Sequence, residues 1–499
     1  MSEFVKHKQK TISKIDELLP PCWVHTKRHI DLEESGRDIG TQHLKIIETD
    51  STGFLRNRLV MMLDSAKDSI CVASFLIADS YLIQAMLRAS ERGVRVYLLT
   101  ASETQLLREP KEDNEFDALR LKEHIRTLEQ LAGRVLVRTG ENLHSKFVLV
   151  DPQSSLAQGF LLTANLTSEA LTRNVEIGVE LDSDEVHDLF RQFLIGFWIE
   201  SSNELLEPGS ISKIEPLSDV VLPSPLQLLC TTSRTSTIKQ RVEALIDAAK
   251  SEIIVSSFGI DLKHETTQKI IQAARAGTKV RILARPRPNK NTMNALIALV
   301  EAGAEVRGHR WLHAKCVLAD TNEGWSGLVM TSNVESHGLD KGFESGISLH
   351  GEDADSLYAM AENWWLNFPQ SLFTKIKLGD VEGDVLLWSD ETLKKITIKK
   401  RCEEDLGEFK AKSFDEIEGF QPNLVPKKTN NEAVKYHEHT FHWTVLPPKL
   451  PPGAKRESSD GDIDVYKYGG ESYIVVQRAT QLSKARKLAS ELHAKIVTL

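Results

Sequence analysis

The feature that most constrains this chain is an internal duplication. Residues 63–100, LDSAKDSICVASFLIADSYLIQAMLRASERGVRVYLLT, return as residues 246–284, IDAAKSEIIVSSFGIDLKHETTQKIIQAARAGTKVRILA. Each copy reads as an amphipathic helix, a β-branched strand (ICVASF, IIVSSF), a second helix ending near Gly93 or Gly277, and another strand. Helices alternating with strands at this spacing mean an α/β fold. The echo runs on through LAGRVLV and EAGAEVR, HSKFVLVD and HAKCVLAD, GFLLTANLT and GLVMTSNVE, and NVEIGVEL and GFESGISL, and closes on helices carrying GFW and NWW. A unit of roughly 160 residues is domain-sized, too long for the stacked units of a solenoid.

Four segments follow: an N-terminal extension (1–45), a first lobe (46–207), a second lobe (208–377) and a C-terminal accessory domain (378–499). The last is read as small and α+β. It begins with a charge-rich stretch and passes an extended spacer, LPPKLPP. A hairpin turning at Gly469-Gly470 follows, then a closing helix with Lys484, Arg486 and Lys487 on its polar face. At 499 residues, 41% of them apolar, the chain is too long for one core and rich enough in apolar residues to fill several.

A net charge of -9 argues against a wholly basic coat protein, though not against a local positive cleft. No run approaches the roughly 18 apolar residues of a membrane span, and the N-terminus lacks a signal-peptide core. The expectation is a cytoplasmic protein without stable membrane insertion. Five scattered cysteines (Cys22, Cys71, Cys230, Cys316, Cys402) have no C-x-x-C spacing, so neither a disulfide framework nor a cysteine-rich zinc site is expected.

The chemistry concentrates in residues repeated in one order. Positions two apart on a strand share a face, so His144 and Lys146 are expected to line one pocket, as are His313 and Lys315. Asn165 lies 21 residues after His144, Asn333 lies 20 after His313, and Glu176 and Glu344 each follow their asparagine by 11. A lone histidine beside a strand is usually structural; six polar positions recurring in order are not easily a coincidence.

These residues resemble the phospholipase D superfamily, whose signature is H-x-K-x4-D followed by G-S-x-N. HSKFVLVD and HAKCVLAD both fit the first part, and the likeness covers roughly residues 46–375. LTAN and MTSN stand where G-S-x-N is expected, so Thr163 and Thr331 supply the hydroxyl that would contact phosphate. The resemblance implies two lobes, each a mixed sheet flanked by helices, packed in a pseudo-two-fold arrangement around one active site. It also implies phosphodiester cleavage through a phosphohistidine, with His144 as nucleophile and His313 as acid by the family's usual order. Phosphodiester cleavage needs donors around the phosphoryl oxygens, an activated nucleophile and an acid for the leaving alkoxide. Lys146, Lys315, Asn165 and Asn333 would bind those oxygens, and Glu176 and Glu344 would hold each ring's other nitrogen. Asp151 and Asp320, at the strand ends, read as structural. No cofactor or metal is expected, because the grouped HEHTFHW histidines (His437, His439, His442) lack a recognisable partner set.

Residues 281–316 carry seven Lys/Arg (Arg281, Arg285, Arg287, Lys290, Arg307, Arg310, Lys315) against two glutamates. That excess favours a nucleic-acid substrate, with Arg285, Arg287, Lys290 and Arg310 as backbone contacts. Trp443, Tyr466, Tyr468 and Tyr473 of the accessory domain either stack bases or pack its small core, and the domain is a candidate dock for a protein partner. The reading is a metal-independent nuclease, its active site complete within one chain and its oligomeric state open. The alternatives are a phospholipid hydrolase or phosphatidyltransferase, and a non-catalytic nucleic-acid-binding or scaffold protein.

Overall fold

The computed structural model describes residues 45–102, 114–215 and 229–398 as continuous runs, with residue 217 and shorter pieces at 11–12, 17–25, 409–410, 435–436, 443–445, 455–459, 463–468, 471–476 and 495–498. The chain divides into two compact units, one of Thr26–Leu372 and one of Met1–His25 with Phe373–Leu499. Both lobes of the duplication lie in the first unit, except for residues 373–377 at the end of the second.

In the first lobe a nine-stranded mixed sheet is built outward from Ser69–Ser74, a strand buried along its whole length. Arg95–Ala101 and then Leu136–Gly140 pair parallel on one side of it, and Phe147–Val150, Gln158–Leu162 and Ile177–Leu181 pair antiparallel on the other. Continuous apolar runs suit strands covered on both faces. The second lobe repeats the order. Glu252–Ser256 has Lys279–Ala284 and Glu305–Gly308 parallel on one side, with Cys316–Thr321, Gly324–Met330 and Glu344–His350 antiparallel on the other. The crossover helices Ser80–Glu91 and Glu265–Arg275 start where the Asp79 and His264 side chains accept backbone N–H bonds. They stop before Gly93 (φ 87°) and Gly277 (φ 96°), left-handed positions where a side chain would be strained.

One hydrophobic core spans both lobes. The helix Ser183–Leu194 continues as a π-helical turn, Ile195–Glu200, and brings Phe193 and Phe197 to it. The helix Glu352–Asn367 brings Trp364 and Trp365, and Phe147, Leu312 and Phe343 fill the middle. Two backbone bridges, Leu143 to Phe343 and Val175 to Leu312, tie the lobes symmetrically. Fully buried Gln192 adds a polar tie, donating from Nε2 to Glu344 O (2.7 Å) and accepting from Ser345 Oγ (2.8 Å).

In the other unit Cys22–His25 pairs with Gly383–Ser389, which pairs with Thr392–Ile398, and Leu18–Leu19 pairs with Ile376–Lys377. The N-terminal segment, expected as an extension of its own, thus supplies strands to the C-terminal unit. Its buried Leu19, Cys22 and Val24 share a core with Val385, Ile396 and Ile398. Further on, Ile463–Tyr468 and Glu471–Val476 form the expected hairpin, with Lys455–Ser459 antiparallel on one side and Lys495–Thr498 parallel on the other. The 446–452 spacer, the helix with Lys484, Arg486 and Lys487, and His437, His439 and His442 lie outside the described residues. Among the described residues no helix is long and apolar enough to cross a membrane.

Candidate active site

Each H-x-K segment is extended but lies just ahead of its strand rather than within it, because its backbone is spoken for by the opposite lobe. The N–H groups of His144 and Ser145 donate to Phe343 O (3.0 and 2.8 Å), and those of His313 and Ala314 to Val175 O (3.0 and 2.8 Å). Phe343 and Val175 are the residues before Glu344 and Glu176. The docking therefore hands each histidine the other lobe's glutamate: His144 Nδ1 lies 2.9 Å from Glu344 Oε1, and His313 Nδ1 lies 2.7 Å from Glu176 Oε1. Both carboxylates are buried. With Nδ1–H given to a carboxylate, the Nε2 lone pair is left for chemistry.

The second oxygens of the two glutamates correct one expectation. Thr163 Oγ1 donates to Glu176 Oε2 (2.7 Å) and accepts from Ile177 N–H (2.8 Å). Thr331 Oγ1 donates to Glu344 Oε2 and accepts from Ser345 N–H (3.0 Å). These hydroxyls, fully buried, orient the glutamates and do not face a phosphate.

The lysines are also buried. Lys146 Nζ donates to His144 O (2.5 Å) and Lys315 Nζ to His313 O (2.8 Å), the latter lying 3.1 Å from each ring nitrogen of His313. Asn165 and Asn333 each bury a side-chain oxygen that has no hydrogen-bond partner among the described residues. Asn333 Nδ2 donates to Glu335 Oε1 (2.9 Å). Their loops are pinned alike, by Leu166 N–H on Ser74 Oγ (3.1 Å) and Val334 N–H on Ser257 Oγ (3.2 Å).

Burial pushes His144 down to about 4 and His313 to about 3, against the opposing pull of Glu344 and Glu176 and helped by the two lysines. Both rings are therefore neutral near pH 7. Burial also lowers Lys315 to about 8, its nearby carboxylates resisting. Burial alone would raise Glu176 and Glu344, but the imidazoles and lysines beside them hold both below the ordinary glutamate value.

The basic stretch 281–316 divides. Arg281 is interior, paired with Glu252 and with Glu362 (2.5 Å), and Arg307 is interior too, bonded to Trp365 O. Neither can track a phosphate backbone. Arg285 and Arg287 lie over Phe258, which meets the His313 ring edge-on at 4.8 Å, and Arg310 lies over Trp311. Lys290 opens the helix Lys290–Glu301, exposed. Sequence reasoning missed Phe258 and its counterpart Phe75, edge-on to His144 at 5.4 Å, although both recur in the duplicated strand. It also missed Arg173, Trp311 and Glu335, whose counterparts in the other copy, Lys341, Asn142 and Thr167, are different residues. Asp151, with φ 48°, accepts from the N–H groups of Lys67, Asp68 and Ser69 (2.7–2.9 Å). Asp320 accepts from Ser251 Oγ. Both brace strand ends.

A two-lobed α/β fold with paired, crosswise-tethered histidines defines a class of phosphodiester-acting proteins. A family model described as the cardiolipin synthase, PLD-like domain, matches residues 59–198 and 242–365, one segment in each lobe and together more than half of the chain. The chain belongs to the phospholipase D superfamily. No curated protein matches it. Similar solved structures include polyphosphate kinase from Porphyromonas gingivalis (TM-score 0.42, 14% identity, 64% of this chain and 49% of that one). This chain thus spans about half of that kinase's length. Others are phosphatidylserine synthase from Haemophilus influenzae Rd KW20 (0.47, 11%, 73% and 92%) and the phospholipase D family member Nuc from Salmonella typhimurium (0.25, 19%, 30% and 93%).

Proposed function

We propose that this chain is a nuclease that cleaves nucleic-acid phosphodiesters through a phosphohistidine, using its own side chains. The crosswise tethers carry the reading, because each histidine is held at Nδ1 by the other lobe's glutamate, which leaves the reactive nitrogen of each ring to be Nε2. In it, the neutral His144 attacks phosphorus, forming an N–P bond as the P–O bond to the leaving group breaks. His313 gives its proton to the departing oxygen, and water then attacks the phosphohistidine with His313 as base. Lys146, Lys315, Asn165 and Asn333 supply donors to the phosphoryl oxygens, where losing one preorganised donor costs on the order of 10²–10³ in rate. In this reading His313, whose value burial and the lysines lower, gains its proton when the anionic diester enters and offsets the lysines.

The arginines beside His313 favour nucleic acid. The matching model's description favours a phospholipid, which is the second reading. Protein in EDTA, given labelled single- and double-stranded DNA, RNA and phosphatidylcholine vesicles, separates them. Cleavage of nucleic acid by wild type, absent in His144→Ala and His313→Ala, is expected. Headgroup release alone transfers the assignment to lipid, and binding without product removes the catalytic reading.

A further inference from the structure

The two flanks of the site are related by the duplication but are not alike. Aligned on the histidines, Arg310 and Trp311 correspond to Glu141 and Asn142; aligned on the glutamates, Arg173 corresponds to Lys341; and Arg285 falls opposite Ala101. On the His144 flank, Glu141, Asn142, Leu143 and Phe343 line a cavity of about 530 Å³ together with Glu200 and Arg234. On the His313 flank Trp311 stands where Asn142 stands on the other. The guanidinium of Arg173, from the first lobe, lies 4.1 Å from the Trp311 ring centroid, that of Arg310 lies 4.5 Å away and that of Arg285 lies 5.7 Å away. All four residues are half-buried.

Guanidiniums gathered around one ring repel each other. Burial and the neighbouring Arg285 pull Arg310 below the ordinary arginine value, and burial with both arginines pushes His309 down to about 4. Guanidiniums preoriented on an aromatic face suit the oxygens of a phosphate. Trp311 is two residues from His313, so the cluster stands within about 7 Å of backbone reach from the reacting phosphorus's partner. The carboxylates of Glu141 and Glu200 make the other flank a poor place for the same charge.

We propose that Arg173, Arg285 and Arg310, assembled on Trp311, form a second phosphate-binding subsite beside His313. The substrate would then be a strand with consecutive phosphates, laid in one direction with its further phosphate on that flank. The inference rests on the nuclease reading for its ligand class, not for its binding chemistry.

The test is equilibrium binding of an oligothymidylate of about twelve nucleotides to His144→Ala protein, followed by fluorescence anisotropy over roughly 50–200 mM salt. Arg173→Gln and Arg310→Gln, made singly on that background, should each weaken binding severalfold and reduce the slope of log affinity against log salt by about 0.7. Lys341→Gln, at the equivalent place on the other flank, should change neither. Unchanged slopes in both arginine variants overturn the subsite, as does a change in Lys341→Gln equal to theirs or binding of anionic-lipid vesicles without binding of the oligonucleotide. Hydrolysis of bis(4-nitrophenyl) phosphate by wild type is measured in parallel. Its absence counts against the catalytic reading alone, while the anisotropy still decides the subsite.

Discussion

Replacing Glu176 by Gln should disable the histidine of the other lobe. Glu176 belongs to the first lobe, but its Oε1 sits 2.7 Å from His313 Nδ1, with the carboxylate fully buried and the ring partly so. Hydrogen bonds to charged groups contribute about 1.5–3 kcal/mol, and this one also fixes the tautomer that leaves Nε2 facing the reaction. If that contribution is realised only as His313 takes and gives its proton, Glu176→Gln slows turnover by about 10- to 150-fold, with KM little changed. The positioning role has its own signature. In protein labelled with ¹⁵N-histidine, the downfield Nδ1–H resonance of His313 should shift and broaden in Glu176→Gln, and that of His144 in Glu344→Gln. The inference is refuted if Glu176→Gln disturbs His144 and leaves His313 untouched.

Other expectations follow from the same geometry. Thr163→Val should lower kcat severalfold without raising KM for a phosphate-bearing substrate, since Thr163 holds Glu176 and not the substrate; a change confined to KM would restore the phosphate-contact role. Lys315, at about 8, is charged below that pH and neutral above it, so kcat/KM should fall as pH rises through 8, and Lys315→Arg should move that limb upward. Folded His144 titrates at about 4 and unfolded histidine near 6.5, so the unfolded chain binds protons first on acidification. The stability linked to neutral His144 is complete above pH ~6.5 and declines toward pH 4 by ~3 kcal/mol, a trend that urea midpoints should show and His144→Ala should flatten. Gln192→Leu leaves Glu344 O and Ser345 Oγ without their partner and should cost about 1–3 kcal/mol in the same assay.

Much of the site was legible because the duplication acts as an internal control. His144, Lys146, Asn165 and Glu176 recur as His313, Lys315, Asn333 and Glu344, and the structure holds each histidine against the other lobe's glutamate. What broke the symmetry was not legible. Arg281 and Arg307 look like members of a basic patch, yet their ion pair and carbonyl partners lie on the helix Glu352–Asn367, dozens of residues away. Arg173 and Trp311 look unremarkable until Val175 docks under His313 and brings one lobe's arginine over the other lobe's ring.

The sequence by itself determined the repeated α/β order and the polar residues that recur in each copy. Hydrophobic periodicity, glycine stops and residue identity are all written along the chain. Only tertiary structure decided that each histidine takes the other lobe's glutamate, that the threonines serve those glutamates, and that the charge gathers on one flank. The first of those choices is made by backbone bonds between residues more than a hundred positions apart, and local spacing carries no information about which lobe a side chain will meet.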